Sequence, residues 1–293
     1  MLEQQLVNGL MLGSSYALVA VGYTLVFGVL KLLNLAHGEV FMFSGFIGFV
    51  LLATLELPVW LAILGAMAGG GVLSVLLERV SFRPIDLTRH EIAPVLSTIG
   101  FGLMLQQLAV RLWGSTPEPV AAGISDVEIR LGSIQISLVS LLGLILALVL
   151  MLTLGVLIRR TPFGRGMRAI ADSREVAELL GVNTRRIVLV TFAISGLLAG
   201  AAGIVVALRT GSVAPTVGLD IGFKALAVMV IGGLGSFEGA VLAGLVLGML
   251  EVLAVAYGSA AYGDAVVWGA LLVVLLLRPS GLFGEPVQVS GRA

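Results

Sequence analysis

Apolar residues run along this chain in blocks about as long as a bilayer is thick. A hydrocarbon core takes about 20 residues of helix. Runs of that kind fall near 6–30, 38–55, 58–78, 92–113, 136–158, 187–208 and 237–257, with a shorter one near 264–278. A further run, 223–234, is too short to cross alone and ends in Gly-Gly-Leu-Gly-Ser, so it reads as a half-helix or re-entrant segment. The pattern predicts an all-α integral membrane protein, one domain over 1–293, with eight transmembrane helices plus one broken segment. Only the loop 114–136 changes period. Val127, Ile129 and Leu131 alternate with polar residues, Gly132-Ser133 follows, and Ile134 and Ile136 alternate again, which predicts a short β-hairpin with a two-residue turn.

Composition agrees with lipid as the main surroundings. Hydrophobic residues make up 58% of the chain and charged residues 12%, with a mean hydropathy of +1.11; soluble domains sit at about 45–50% apolar. Zero net charge gives no footprint for nucleic acid. Cysteine is absent, and His37 and His90 are the only histidines, far apart, so neither a thiolate nucleophile nor a metal cluster is expected. No spacing supports an intramembrane enzyme. The N-terminus lacks the basic start and small-residue cleavage site of a signal peptide, so the first run is expected to stay as a span.

Basic residues set the orientation. Loops after the first, third and fifth runs hold Lys31, then Arg79, Arg83 and Arg89, then seven arginines between 159 and 186; the alternate loops hold Arg130 and, at the border, Arg209. The expectation is an outside N-terminus and a cytoplasmic arginine loop in a bacterial inner membrane. Arg278 suggests a cytoplasmic tail and hence an odd number of crossings. Within the loop, Asp172 or Ser173 can cap a helix over about 172–180, Gly181 can stop it, and Asn183 or Thr184 can cap the next span. Val176, Leu179 and Leu180 share one side of it. Such a helix is either an interfacial anchor on anionic lipid or a charged knob for a cytoplasmic partner.

Two stretches break the apolar pattern. In "NLAHGE", Asn34, His37 and Glu39 surround Gly38; in "GGLGSFEG", Gly232, Gly233, Ser236 and Glu238 do the same. Both read as a chain break followed by a helix start, with Asn34 or Ser236 as cap and an acid in the first turn. The same geometry suits an amino-acid zwitterion, whose carboxylate fits a half-helix N-terminus and whose ammonium fits an acid such as Glu238. Lys224 and Asp220 are expected to snorkel to the outer interface, while Glu251 and Asp264 stay unassigned. Four G-x-x-x-G pairs, Gly9/Gly13, Gly65/Gly69, Gly196/Gly200 and Gly244/Gly248, mark close helix packing within the bundle or a dimer face.

Four stretches together resemble one family, the H-type permease subunit of branched-chain amino acid importers of the ATP-binding-cassette class. They are "SSYALVAVGYTLVFGVLKLLNLAHGEVFMFSG" (14–45), "TPFGRGMRAIADSREVAELLGVN" (161–183), "AVMVIGGLGSFEGAVLAG" (227–244) and "LRPSGLFGE" (277–285). One departure is Glu238, where proline is common in the family. The resemblance implies the importer-permease fold and a coupling loop over 159–186, in which Arg168, Asp172, Ser173, Glu175, Ala177, Glu178 and Gly181 meet an ATPase. From the two breaks in the apolar pattern, Asn34, His37, Glu39, Ser44, Gly232, Gly233, Ser236 and Glu238 are expected along a substrate pathway. Partners implied are two ATP-binding subunits, a second homologous permease and a periplasmic or extracellular substrate-binding protein. No cofactor is expected on this chain: its two lysines, Lys31 and Lys224, follow no glycine, so it has no phosphate-binding loop. Cargo is expected to be leucine, isoleucine or valine. Urea or short amides, or a stand-alone channel or ion-coupled carrier using Glu39, Glu238 or Glu251, are the alternatives.

Overall fold

The computed structural model describes residues 2–85, 92–120, 128–131 and 134–284. The expected Gly132-Ser133 turn, Val127, Arg89, His90 and Glu285 lie outside the described residues. Helices follow in the order α1 (Leu2–Leu30), α2 (His37–Ala53), α3 (Val59–Leu77), α4 (Ile92–Trp113), α5 (Leu138–Arg160), α6 (Pro162–Asp172), α7 (Arg174–Leu179), α8 (Thr184–Thr210), α9 (Val217–Gly232), α10 (Phe237–Tyr257) and α11 (Ala261–Leu277). A π-helical turn at Glu78–Phe82 extends α3. Six of these, α1, α3, α4, α5, α8 and α10, are long and apolar enough to cross a membrane, and α2 and α11 are shorter apolar helices.

Contacts define two ends of the bundle. At the hairpin end, β2 (Glu128–Leu131) pairs antiparallel with β3 (Ile134–Ser137), Ile129 opposite Ile136. The Gln4 side chain binds the Gln135 backbone reciprocally, donating to its carbonyl and accepting from its N–H, each at 2.7 Å. A second antiparallel clip there joins β1 (Glu118–Pro119) to β4 (Ser212–Val213). At the loop end lie α6, α7, the start of α10 and the tail. Among the described residues the chain passes nine times between these ends, on α1 to α5 and α8 to α11.

The short segment thus counts as a passage, and it runs over Val217–Gly232, six residues earlier at its start than the hydropathy alone places it. A second passage is broken too. Residues 31–36 are not helical, and α2 begins at His37 against Gly22, about 12 Å of rise from the end of α1. Non-helical backbone at membrane depth requires enclosure by protein. Here α1, α4 and α9 enclose it, and the Leu35 N–H donates to Thr98 Oγ1 at 3.1 Å.

The glycine pairs all work inside the chain. Gly9 and Gly13 meet Gly248, Leu245 and Gly244 across α1 and α10; Gly196 and Gly200 meet Gly70 and Ala66 across α8 and α3; Gly65 and Gly69 receive the Leu51 and Ile47 side chains of α2. Outward faces of α3, α4, α5 and α11 carry exposed leucine, valine, isoleucine and tryptophan, such as Trp60, Leu152 and Leu276. Apolar outside and glycine-tight inside is what lipid selects, because hydrocarbon offers helices no reason to associate beyond packing.

Candidate functional site

The two broken passages meet. Gly38, in the first turn of α2, packs on Gly218 and Gly222 of α9, and a methyl at Gly38 would lie 2.9 Å from Gly222 Cα. Around this crossing three polar side chains are buried: Asn34, His37 and Glu39. The Ser195 hydroxyl of α8 donates to the Gly22 carbonyl at 2.9 Å and lies 3.3 Å from His37 Nδ1. Tyr23 packs edge-on against the same ring, centroids 4.7 Å apart. Glu39 lies between two bare helix surfaces, where a methyl on Gly218 of α9 would be 2.7 Å from Oε2 and one on Gly102 of α4 would be 3.1 Å from Cγ.

Several of these atoms have no hydrogen-bond partner among the described residues: both amide atoms of Asn34 and Glu39 Oε2. Leaving such groups unmade costs about 1–3 kcal/mol each, so a buried cluster of them marks a place for water or a ligand. Asn34 is not the cap that its type and position suggest. The N-cap of α2 is Ala36, without a side-chain bond. Ser44 is placed elsewhere, donating to the Val40 carbonyl at 2.6 Å against Gly70 of α3.

The "GGLGSFEG" stretch does not join this cluster. It forms the turn between α9 and α10 at the loop end. Ser236 caps α10 by accepting from Gly239 N at 3.1 Å. Gly233, at φ 109°, packs against Gly284, and the tail returns to donate from Leu282 N to Ile231 O at 2.8 Å and from Phe283 N to Gly232 O at 3.0 Å. Glu238 is half-exposed and ion-paired with Arg159 at the end of α5. That position removes the reason to assign it the substrate ammonium, since it is distant from mid-depth and already has a cation.

The arginine loop forms two helices rather than one. Thr161 caps α6, accepting from Gly164 N at 3.3 Å, and Arg168 donates to the Ile158 carbonyl at the end of α5 at 2.6 Å. Gly164 and Gly166 conceal this helix from a propensity reading. They are required because side chains there would enter Ile158 and Ile187. Asp172 ends α6 and is exposed; Ser173 caps α7 through Val176 N at 3.3 Å; Gly181 takes φ 82° to stop it; Asn183 caps α8 through Arg186 N at 3.0 Å. Ala177 faces the bundle, whereas Glu175, Val176, Leu179 and Leu180 are exposed, Leu179 by 86%. Glu178 accepts from Thr184 at 2.6 Å and from Arg174 at 3.2 Å, and these bonds hold its carboxyl below the usual carboxylate range.

Residues 5–276 match the family described as branched-chain amino acid transport system / permease component. The chain belongs to that family. LivH of Escherichia coli K12, a high-affinity branched-chain amino acid transport system permease protein, is 35% identical over 97% of this chain and 96% of its own length. BraD of Pseudomonas aeruginosa, of the same description, is also 35% identical, with 97% and 96% covered. The solved structure of PsaBC from Streptococcus pneumoniae in complex with Fab superposes with a TM-score of 0.51 at 11% identity, covering 94% of this chain and 92% of that one, which shows the fold alone.

In this permease one charged cluster escaped the sequence reading. Lys224 of α9 does not snorkel outward. Its ammonium lies 2.7 Å from Glu251 of α10 and 2.6 Å from Asp264 of α11, with the Tyr16 ring of α1 at 6.0 Å. The lysine is 15% exposed and Glu251 11%, so the pair is largely enclosed within the spans. A lysine in an otherwise apolar run needs an anion nearby. That rule calls for a partner but cannot pick between Glu251, Asp264 and Asp220 without the helix arrangement.

Proposed function

We propose that the chain is the membrane-spanning subunit of an ATP-driven importer that carries branched-chain amino acids into the cell. The observation that carries a transport role is the meeting, inside the bundle, of the first turns of two short helices, α2 and α9, beside orphaned amide and carboxylate groups, an arrangement transporters use at their substrate path. The cargo is that of LivH and BraD, both branched-chain amino acid transport permeases. In this reading the substrate carboxylate passes the N-terminus of α2 near Asn34 and its ammonium passes Glu39. His37, held by Ser195, shapes the wall. Ser44, Gly232, Gly233, Ser236 and Glu238 support the helices around the path.

The basic loops support a cytoplasmic arginine end and an outside N-terminus, in a bacterial cytoplasmic membrane. ATP binding and hydrolysis fall to two partner subunits, a second related permease completes the membrane part, and an external binding protein delivers cargo. Exposed Val176, Leu179 and Leu180 on a short helix with both ends fixed support α7 as the knob the ATPase grips. Displacement of α7 would reach the spans through α6, whose Arg168 is bonded to the end of α5, and through Glu178, bonded to the start of α8. A motor shifts the pathway between outward- and inward-open states only through contacts that differ between them.

The test is leucine uptake by vesicles holding this chain, its second permease and the two ATPase subunits, with and without ATP, for the parent and for Leu179→Glu. ATP-dependent uptake lost in the variant is the expected result. Uptake by this chain alone, indifferent to ATP, overturns the reading in favour of a channel or carrier.

A further inference from the structure

A cleft of about 600 Å³ opens at the loop end between the end of α1, the π turn after α3, α7 and the start of α8. Its charged wall holds Lys31, Arg83, Arg174 and Arg185 against Glu78 and Glu178. Glu178 is committed to Arg174 and Thr184. Four basic groups against two carboxylates leave two positive charges in excess; Glu78 attracts Arg83 and Arg185 without a direct ion pair, and Lys31 forms none among the described residues. Its floor is apolar, with Phe82, Ile170 and Val188.

Two local irregularities converge here. Lys31 has φ 55°, one of two non-glycine residues among those described with positive φ. That conformation is strained and persists where surroundings impose it. The π turn is the other; such turns concentrate at functional sites. It brings Glu78 and Phe82 to one cleft, with Arg83 as its C-cap.

We infer that this cleft binds the headgroup of an anionic phospholipid, with phosphate on Lys31, Arg83 and Arg185 and the start of an acyl chain on the apolar floor. Basic pockets between spans at the membrane surface recognise such headgroups. The apolar floor distinguishes the site from one for a free anion, which has no use for it. Since α7 forms one wall, an occupied cleft braces the helix that the ATPase grips, which makes coupling dependent on lipid composition. The assignment requires only that the loop end lies at the membrane surface, and it is read without any uptake measurement.

The test is native mass spectrometry of the full chain after exchange into detergent with either cardiolipin or phosphatidylcholine, and then with inorganic phosphate added. The parent is expected to retain cardiolipin on the order of a hundredfold better than phosphatidylcholine, at about fivefold per basic residue. The triple variant Lys31→Gln/Arg83→Gln/Arg185→Gln should lose the preference, while Arg83→Lys/Arg185→Lys keeps most of it and controls for folding. Equal retention of cardiolipin by parent and triple variant overturns the site. Displacement by millimolar inorganic phosphate overturns the lipid in favour of a soluble anion. If the triple variant fails to bind the ATPase subunits in pure phosphatidylcholine vesicles where the parent binds, the cleft is a protein contact and the lipid assignment falls.

Discussion

Replacing Gly244 with alanine adds one methyl group at the crossing of α1 and α10. That methyl would stand 2.7 Å from both the Cα and the N of Ala17, and 2.8 Å from its Cβ. Ordinary contact begins at 3.4 Å, so the helices must separate by about 0.7 Å. The obstacle is mainly backbone, so no rotamer change relieves it. Gly13 sits at the same crossing, where its own methyl would meet Leu245 Cα at 2.7 Å, so both helices are already at backbone contact there. Overpacking of this kind costs about 1–3 kcal/mol, to which lost dispersion along the rest of the helix pair adds. Gly269→Ala is the control, because nothing lies within 4 Å of its added methyl. The measurement is unfolding of the purified chain in mixed micelles with increasing SDS. Gly244→Ala should unfold earlier by that amount, Gly269→Ala within about 0.5 kcal/mol of the parent. Equal midpoints for the two variants would refute close α1–α10 packing as a source of stability.

Lys224→Met removes the ammonium bonded to Glu251 and leaves it only the longer-range attraction of Arg209, and should destabilise by up to about 3 kcal/mol in the same assay; adding Glu251→Leu should recover part of that loss, and no recovery would mean the ion pair is not the cause. Glu39→Gln should lower leucine uptake in the reconstituted importer at least tenfold, whereas Glu238→Gln, which breaks only a solvent-screened surface pair, should stay within about twofold; the reverse ranking would return the ammonium site to the loop end. Because the Glu178 carboxyl is held below the usual 4.5, its bonds to Thr184 and Arg174 contribute fully above that value and are lost as pH falls through the lowered one. Hydrogen exchange at Val176 to Gly181 should therefore accelerate only below about pH 4.5 in the parent, and Glu178→Gln should abolish that step.

Hydropathy was enough to place seven long runs, because a bilayer imposes one length on every helix that crosses it. Three of the expected caps were legible too, since Ser173, Ser236 and Asn183 each bond a backbone N–H within three residues, whereas Asn34 caps nothing. The hairpin came from strict alternation over a few positions. What the chain order could not carry was which distant elements meet. The glycine pairs announced close packing, yet only the bundle matched Gly13 with Gly244 and Gly200 with Ala66. "NLAHGE" and "GGLGSFEG" looked equivalent as sequence, each a break with an acid in the first turn. Tertiary structure separated them, sending Glu39 to mid-depth between bare glycine surfaces and Glu238 to Arg159 at the bundle's end. Lys224 shows the same division. Its burial cost was readable from its type, but the two carboxylates that offset it lie 27 and 40 residues away in sequence, on helices that only the packing of α9, α10 and α11 brings together.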